Sequence, residues 1–298
     1  MPESSVVDIA VTSAKELAGR TRNGPVRPAV RLLTSELRLV FGRRRNLLLL
    51  AVVAAFPVLI GIGLRFSSHQ GRGGGGFAFI SQLAGNGIFL SFIALTVLLT
   101  LVLPVAVAVV AGDSVAGEAG YGTLRYLLAV PAGRTRLLAV KYAAIVAFGL
   151  AATFVVTAAA LLTGVALFPV GPVTLLSGTT VPLATGLLRL LFVTLYVAAA
   201  MAALGAIGLA ISTLTEHAIG AIAAIAIIVV ASEVADTVPQ FAVVHPYLPT
   251  HWWDSFDSLL RVPIDTGVML HGLLSFAVYA LLFTSFAWAR FTTADVTS

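Results

Sequence analysis

The stretch LLRLLFVTLYVAAAMAALGAIGLAISTL, residues 187–214, decides the fold. It carries a single charge, Arg189, close to its start. Coiled as an α-helix at about 1.5 Å per residue, it is more than long enough to cross a hydrocarbon core roughly 30 Å thick. Runs of the same character lie at 47–66, 88–111, 139–168, 217–235 and 267–289, so the pattern predicts six membrane spans in an all-α polytopic protein. Composition agrees: 59% of the residues are hydrophobic and 10% are charged, against about 25% charged in a soluble domain. Between the runs no segment is large enough to bury a core of its own, which leaves no room for a soluble catalytic domain.

Inside 187–214, Ala198, Ala202, Ala206 and Ala210 recur every fourth residue, with Gly205 and Gly208 beside them. Small residues at that spacing let helix backbones approach closely in lipid, although an ordinary alanine-rich helix reads the same way. Pro57 and Pro104 fall inside the first two runs and are expected to kink them. The apolar sequence begins only at Leu47, behind a long polar and basic tail with no small-residue cleavage site. The first run is therefore expected to remain as an anchor and not to be removed as a signal peptide.

The polar segments divide by charge. Residues 1–27 read as a mobile tail broken at Asn23-Gly24-Pro25. Residues 28–46 form an amphipathic helix, with Val30, Leu33, Leu37 and Val40 on one face. Its Arg38 and the run Arg43-Arg44-Arg45 would meet the headgroups of the inner membrane surface if the helix lies along it; a simple stop-transfer flank is the plainer alternative. With the N-terminus inside, fourteen of the eighteen Lys and Arg residues fall on inner segments, and Arg65, Arg72, Arg189 and Arg261 remain outside. That bias predicts both termini in the cytoplasm of a bacterial plasma membrane, with 292–298 as a short inner tail. The same reasoning assigns the basic balance to membrane orientation, and no nucleic acid is expected as a partner.

Two outer segments differ in kind. Residues 71–76 are a glycine-rich spacer. Residues 236–266 carry Pro239, Pro246 and Pro249 before His251-Trp252-Trp253, and Trp252, Phe256, Leu259 and Leu260 could share a face opposite Asp254, Asp257 and Arg261. This predicts a short interfacial helix or re-entrant hairpin, with Trp252, Trp253 and Phe256 at headgroup level, or else a plain amphipathic loop.

The inner connection at 112–138 is the most informative part of the spanning region 47–291. It runs Gly112-Asp113-Ser114-Val115-Ala116-Gly117-Glu118-Ala119-Gly120-Tyr121-Gly122-Thr123-Leu124-Arg125-Tyr126-Leu127-Leu128, then Pro131-Ala132-Gly133-Arg134 and, further on, Lys141. Leu124, Leu127 and Leu128 make an apolar face on a short helix that Pro131-Ala132-Gly133 ends. Such a helix between two spans suits the docking of a cytosolic protein. The order acidic residue, Gly-Thr-Leu, two leucines, Pro, Arg and Lys resembles the hallmark of type-2 ABC exporter permeases, the membrane subunits of antibiotic, lipid and drug exporters. The six-span layout, the amphipathic helix and the outer segment extend the resemblance over most of the chain. It implies a coupling helix seated in a cleft of a separate P-loop ATPase, with Glu118, Gly122, Thr123, Leu124 and Leu127 at the contact and Arg134 and Lys141 at its exit. It also implies two ATPase copies, which bind ATP and Mg, and a second copy of this chain or a related permease beside it in the lipid.

Other function classes find less support. The chain holds no nucleotide site of its own: a P-loop needs Lys followed by Ser or Thr, but Glu16 follows Lys15 and Tyr142 follows Lys141. With no cysteine, thiolate metal sites, disulfides and cysteine nucleophiles are excluded. There is no HExxH, and Gly112-Asp113-Ser114-Val115-Ala116 misses the nucleophile elbow at its last position. His245, His251, Asp254 and Asp257 fit no standard metal spacing. The chain is thus not expected to be an enzyme by itself. An ion-coupled carrier or channel stays open as the alternative, but Glu216, His217, Glu233 and His271 all sit near span ends and form no midplane relay.

Overall fold

The computed structural model describes residues 26–69, 86–120 and 133–293. Helix α1 (Val26–Gly42) turns at Arg43 into α2 (Arg44–His69). Two helices, α3 (Phe89–Thr100) and α4 (Val102–Asp113), follow one another at a bend of 52°, as a broken span or a re-entrant pair. A short α5 (Ala116–Gly120) follows, then α6 (Arg134–Leu167), α7 (Leu183–Ser212), α8 (Ala218–Thr237) and α9 (Thr266–Thr293). Among the described residues five helices are long and apolar enough to cross a membrane, and there are six if the bent pair is one span. The predicted all-α polytopic architecture is what the structure shows, with five to six candidate spans where six were expected.

The two prolines behave differently. Pro57 sits inside an unbroken α2, whereas the second span breaks at Leu101, three residues before Pro104. A proline has no N–H to return to the carbonyl four residues earlier, here that of Thr100. Leu101 accordingly leaves helical geometry, with φ −146° and ψ −46°, and the ladder resumes with the Val105 amide on the Leu101 carbonyl at 2.9 Å.

The alanine-rich helix α7 is the hub, packed on α9, α6 and α4 and the most enclosed of the five unbroken candidate spans. Ala198, Ala206 and Ala210 are buried, as the four-residue spacing requires. A Cβ on Gly208 would stand 2.6 Å from that of Ala111 on α4, so the close approach depends on glycine there. An equally tight crossing joins Gly164 of α6 to Gly87: a Cβ on Gly164 would fall inside the Gly87 carbonyl oxygen.

Alternating helices give the molecule two ends. One gathers Arg44, Asp113, Arg134, Ser212 and Thr293, and is called here the basic end. The other is closed by a small antiparallel pair, β1 (Val173–Thr174) and β2 (Thr180–Val181), and by three 3₁₀ turns, Pro239–Phe241, His245–Tyr247 and Trp253–Leu260. The strand pair has no signal in the apolar pattern, because two residues are too few to show a period. The glycine-rich stretch 71–76 lies outside the described residues.

Candidate coupling site

The connection from α4 to α6 leaves the membrane region through a tight corner. Ser212, fully buried at the end of α7, holds it: its Oγ accepts from the amides of Val115 (3.1 Å) and Ala116 (2.9 Å) and donates to the Gly112 carbonyl at 2.8 Å. One hydroxyl thus satisfies groups that the end of α4 and the start of α5 leave outside their ladders. Nothing in the sequence marks Ser212, because its partners lie about 100 positions away.

Asp113 closes the corner on its other side. Its carboxylate accepts from the guanidinium groups of Arg43 and of Arg45, the latter at 2.8 Å. A Cβ on Gly117 would run into that carboxylate, so glycine is needed where α5 crosses it. Arg43 and Arg45, expected at lipid headgroups, make these ion pairs within the chain while staying nearly half exposed, and Arg38 and Arg44 are exposed as well. The tie has a further anchor in Asn46, 2% exposed, whose side-chain amide donates to the Val40 carbonyl at 2.8 Å.

Lys141, 2% exposed on α6, reaches back to Glu118 of α5 at 2.6 Å and stands 3.7 Å from Glu36 of α1. A buried ammonium needs such partners, since removing a charge from water costs more than a lone contact returns. Burial pushes the Glu118 carboxyl above its ordinary range, and Lys141 draws it part of the way back. Glu118, expected at the ATPase contact, and Lys141, expected at its exit, are thus in direct contact. Arg134 starts α6 and donates to the Thr292 carbonyl of α9 at 2.9 Å. Gly122, Thr123, Leu124 and Leu127, the rest of the expected contact, lie outside the described residues.

Helices α1, α4, α5 and α6 consequently converge at this corner. The apolar face of α1 lies along α6: Leu33, Leu37 and Val40 are half-buried, Val30 is exposed, and Phe41 meets Phe148 with ring centroids 6.1 Å apart. Charges on α1, α4, α5 and α6 then cross the cleft between them, lined by Glu36, Arg43, Asp113, Glu118 and Lys141.

Residues 42–233 match the family model described as ABC-2 family transporter protein. The chain belongs to that family. No curated protein matches it. An ABC-2 permease is a multi-pass membrane subunit, distinct from the ATPase subunit it works with. The matched region runs from the end of α1 into α8, and so includes the whole corner built by Ser212, Asp113 and Lys141.

At the opposite end the permease buries Trp253 and Phe256, at 3% and 1% exposure, against its helices. Their rings fill the protein interior and present little surface to headgroups. Trp252 is half-buried; its indole N–H donates to the Pro246 carbonyl at 3.0 Å and its ring stacks on His271. His251 contacts Asp236 at 2.6 Å, and Arg189 donates to the Leu259 and Arg261 carbonyls, tying the turns to α7 and α8. Among the described residues no group of three or more His, Asp or Glu side chains is arranged for a metal ion.

Proposed function

We propose that this ABC-2 permease is the transmembrane half of an exporter, driven by ATP that a separate P-loop ATPase hydrolyses. The basic end faces the cytoplasm, with both termini inside, and the segment 121–132 docks into the ATPase. Two permease copies, identical or related, enclose a path between them, and two ATPase copies sit below. The observation that carries this reading is the Glu118–Lys141 contact at 2.6 Å. It joins the two flanks of the docking segment, so a load on the segment passes into α6 as well as back to α4. A loop tethered at one flank would absorb that load by bending.

With both flanks tied, movement of an ATPase dimer would reach the spans as rigid-body rocking or separation. The spans carry few charged residues, so a hydrophobic or amphipathic cargo such as a drug, antibiotic, lipid or peptide suits their path better than a small ion. The charges concentrated at the basic end follow the positive-inside bias, which supports that orientation.

The test is to replace Leu124 and Leu127 together by Asp and measure co-purification of the ATPase and ATP-dependent export in membranes. Both are expected to be lost while the permease still inserts. Unchanged assembly and export would exclude 121–132 as the docking segment.

A further inference from the structure

The start of α6, where the chain leaves the docking segment, is tied to a second helix. Arg134 donates to the Thr292 carbonyl at 2.9 Å, and Thr135 Oγ1 accepts from the indole N–H of Trp288, also at 2.9 Å. Both partners lie in the last two turns of α9. That helix has 28 residues, so at about 1.5 Å per residue it runs roughly 42 Å to the opposite end of the molecule.

There it meets another set of ties. His271 stacks on Trp252 with ring centroids 5.8 Å apart, and the Tyr279 hydroxyl donates to the Tyr247 carbonyl. Gly272 leaves a notch in α9, since a Cβ there would overlap the Tyr196 hydroxyl. Through that notch Tyr196 of α7 donates to the Trp252 carbonyl at 2.8 Å, while its ring rests on Phe276 with centroids 5.2 Å apart. The turns from His245 to Leu260 are thus fastened across the first half of α9.

Between its ends α9 is held on one side only. Its buried residues, Gly272, Phe276, Ala287 and Phe291, follow one helical stripe, and Val278, Leu281 and Leu282 on the other side are exposed. A helix gripped along one stripe and tied at both ends moves as a unit when either end is displaced.

We infer that α9 couples the docking segment to the outer turns, with Trp288 and Tyr196 as the positioning residues at its two ends. This rests on the permease reading above for the role of 121–132, and adds a route by which that segment acts on the far side of the membrane. Lys141 passes a load into α6, and Arg134 and Thr135 share it with α9. The turns at the opposite end then shift in step with the docking segment.

Coupling is reciprocal, so each end should report a change made at the other. Full-length variants in lipid nanodiscs are compared by hydrogen–deuterium exchange. Trp288→Phe keeps an aromatic ring and removes the donor, and Tyr196→Phe does the same at the opposite end. Trp288→Phe should speed exchange in 245–260 by about twofold or more. Tyr196→Phe should speed it comparably at the Arg136 and Leu137 amides, which bond to the Gly133 carbonyl. Leu281→Ala, on the exposed side of α9, should change neither, and residues 53–60 of α2 should stay level in all three variants. Effects confined to the substituted end would overturn the coupling. Equal acceleration everywhere, α2 included, would also overturn it, because it marks general loosening. The measurement requires neither nucleotide nor ATPase, so its failure leaves the docking segment standing, and failure of docking leaves the exchange pattern intact.

Discussion

Lys141 shows how a single residue can join two parts of the machine. Its ammonium is shut away from water between Glu118 and Glu36, so either carboxylate is worth most through what its loss would strand. Glu118→Ala is expected to cost about 3 kcal/mol of stability, because it leaves a buried charge with one partner at longer range. The double variant Glu118→Ala/Lys141→Met should recover most of that loss, as a thermal-melt cycle on detergent-solubilised protein would show. A pH dependence follows from the same group. Burial raises the Glu118 pKa above 4.5, so the folded protein holds this proton more tightly than the unfolded chain does. Its contribution is fully present below pH 4.5 and is lost as pH rises through the raised value. In Glu118→Gln, which keeps the acceptor but cannot ionise, melting temperature should fall less steeply over that window. An equal slope would mean that Glu118 does not titrate there. The sequence singled out both members of this pair because they flank one motif. It did not reveal the Asp113 tie to Arg43 and Arg45 or the Ser212 cap, whose partners are distant in the chain and carry no spacing signal.

At the scale of elements, apolar runs located the candidate spans to within a few residues, because a membrane leaves a helix little choice of length. What the runs could not convey is how each helix meets its neighbour. Pro57 and Pro104 look alike in sequence, yet only the second is associated with a break. The contact between Gly164 and Gly87 has the same origin: the two lie far apart in the chain, and only the fold brings them together. Adding a methyl group there must push α6 from the start of the second span, so Gly164→Ala should destabilise by about 2 kcal/mol. Gly63→Ala, where a Cβ would meet nothing within 4 Å, is the matched comparison. It should be neutral or slightly stabilising, since alanine favours helix. Comparable melting temperatures for the two variants would show that the crossing tolerates separation. The outer turns were legible only as an amphipathic region: the helical spacing put Trp252, Phe256, Leu259 and Leu260 on one face, of which the last three are buried and Trp252 half-buried, but could not tell a lipid-facing ring from one buried in the protein.

For the molecule as a whole, membership of the ABC-2 family and the build of the basic end bear on the same question. The helices supply a rigid body with α7 at its centre. The charges supply a clamp that gathers α1, α4, α5 and α6 at the basic end. In the proposed exporter the segment 121–132 is the only place where force enters, which makes the position of Leu127 decisive. The most direct measurement is to place a photo-reactive cross-linker on Leu127→Cys in the otherwise cysteine-free chain, illuminate native membranes and identify the adduct by mass spectrometry. The account predicts a soluble P-loop ATPase as the dominant cross-linked protein, with Leu281→Cys giving none. Cross-links from Leu127→Cys to lipid or to the permease alone, in membranes that contain the ATPase, would contradict it.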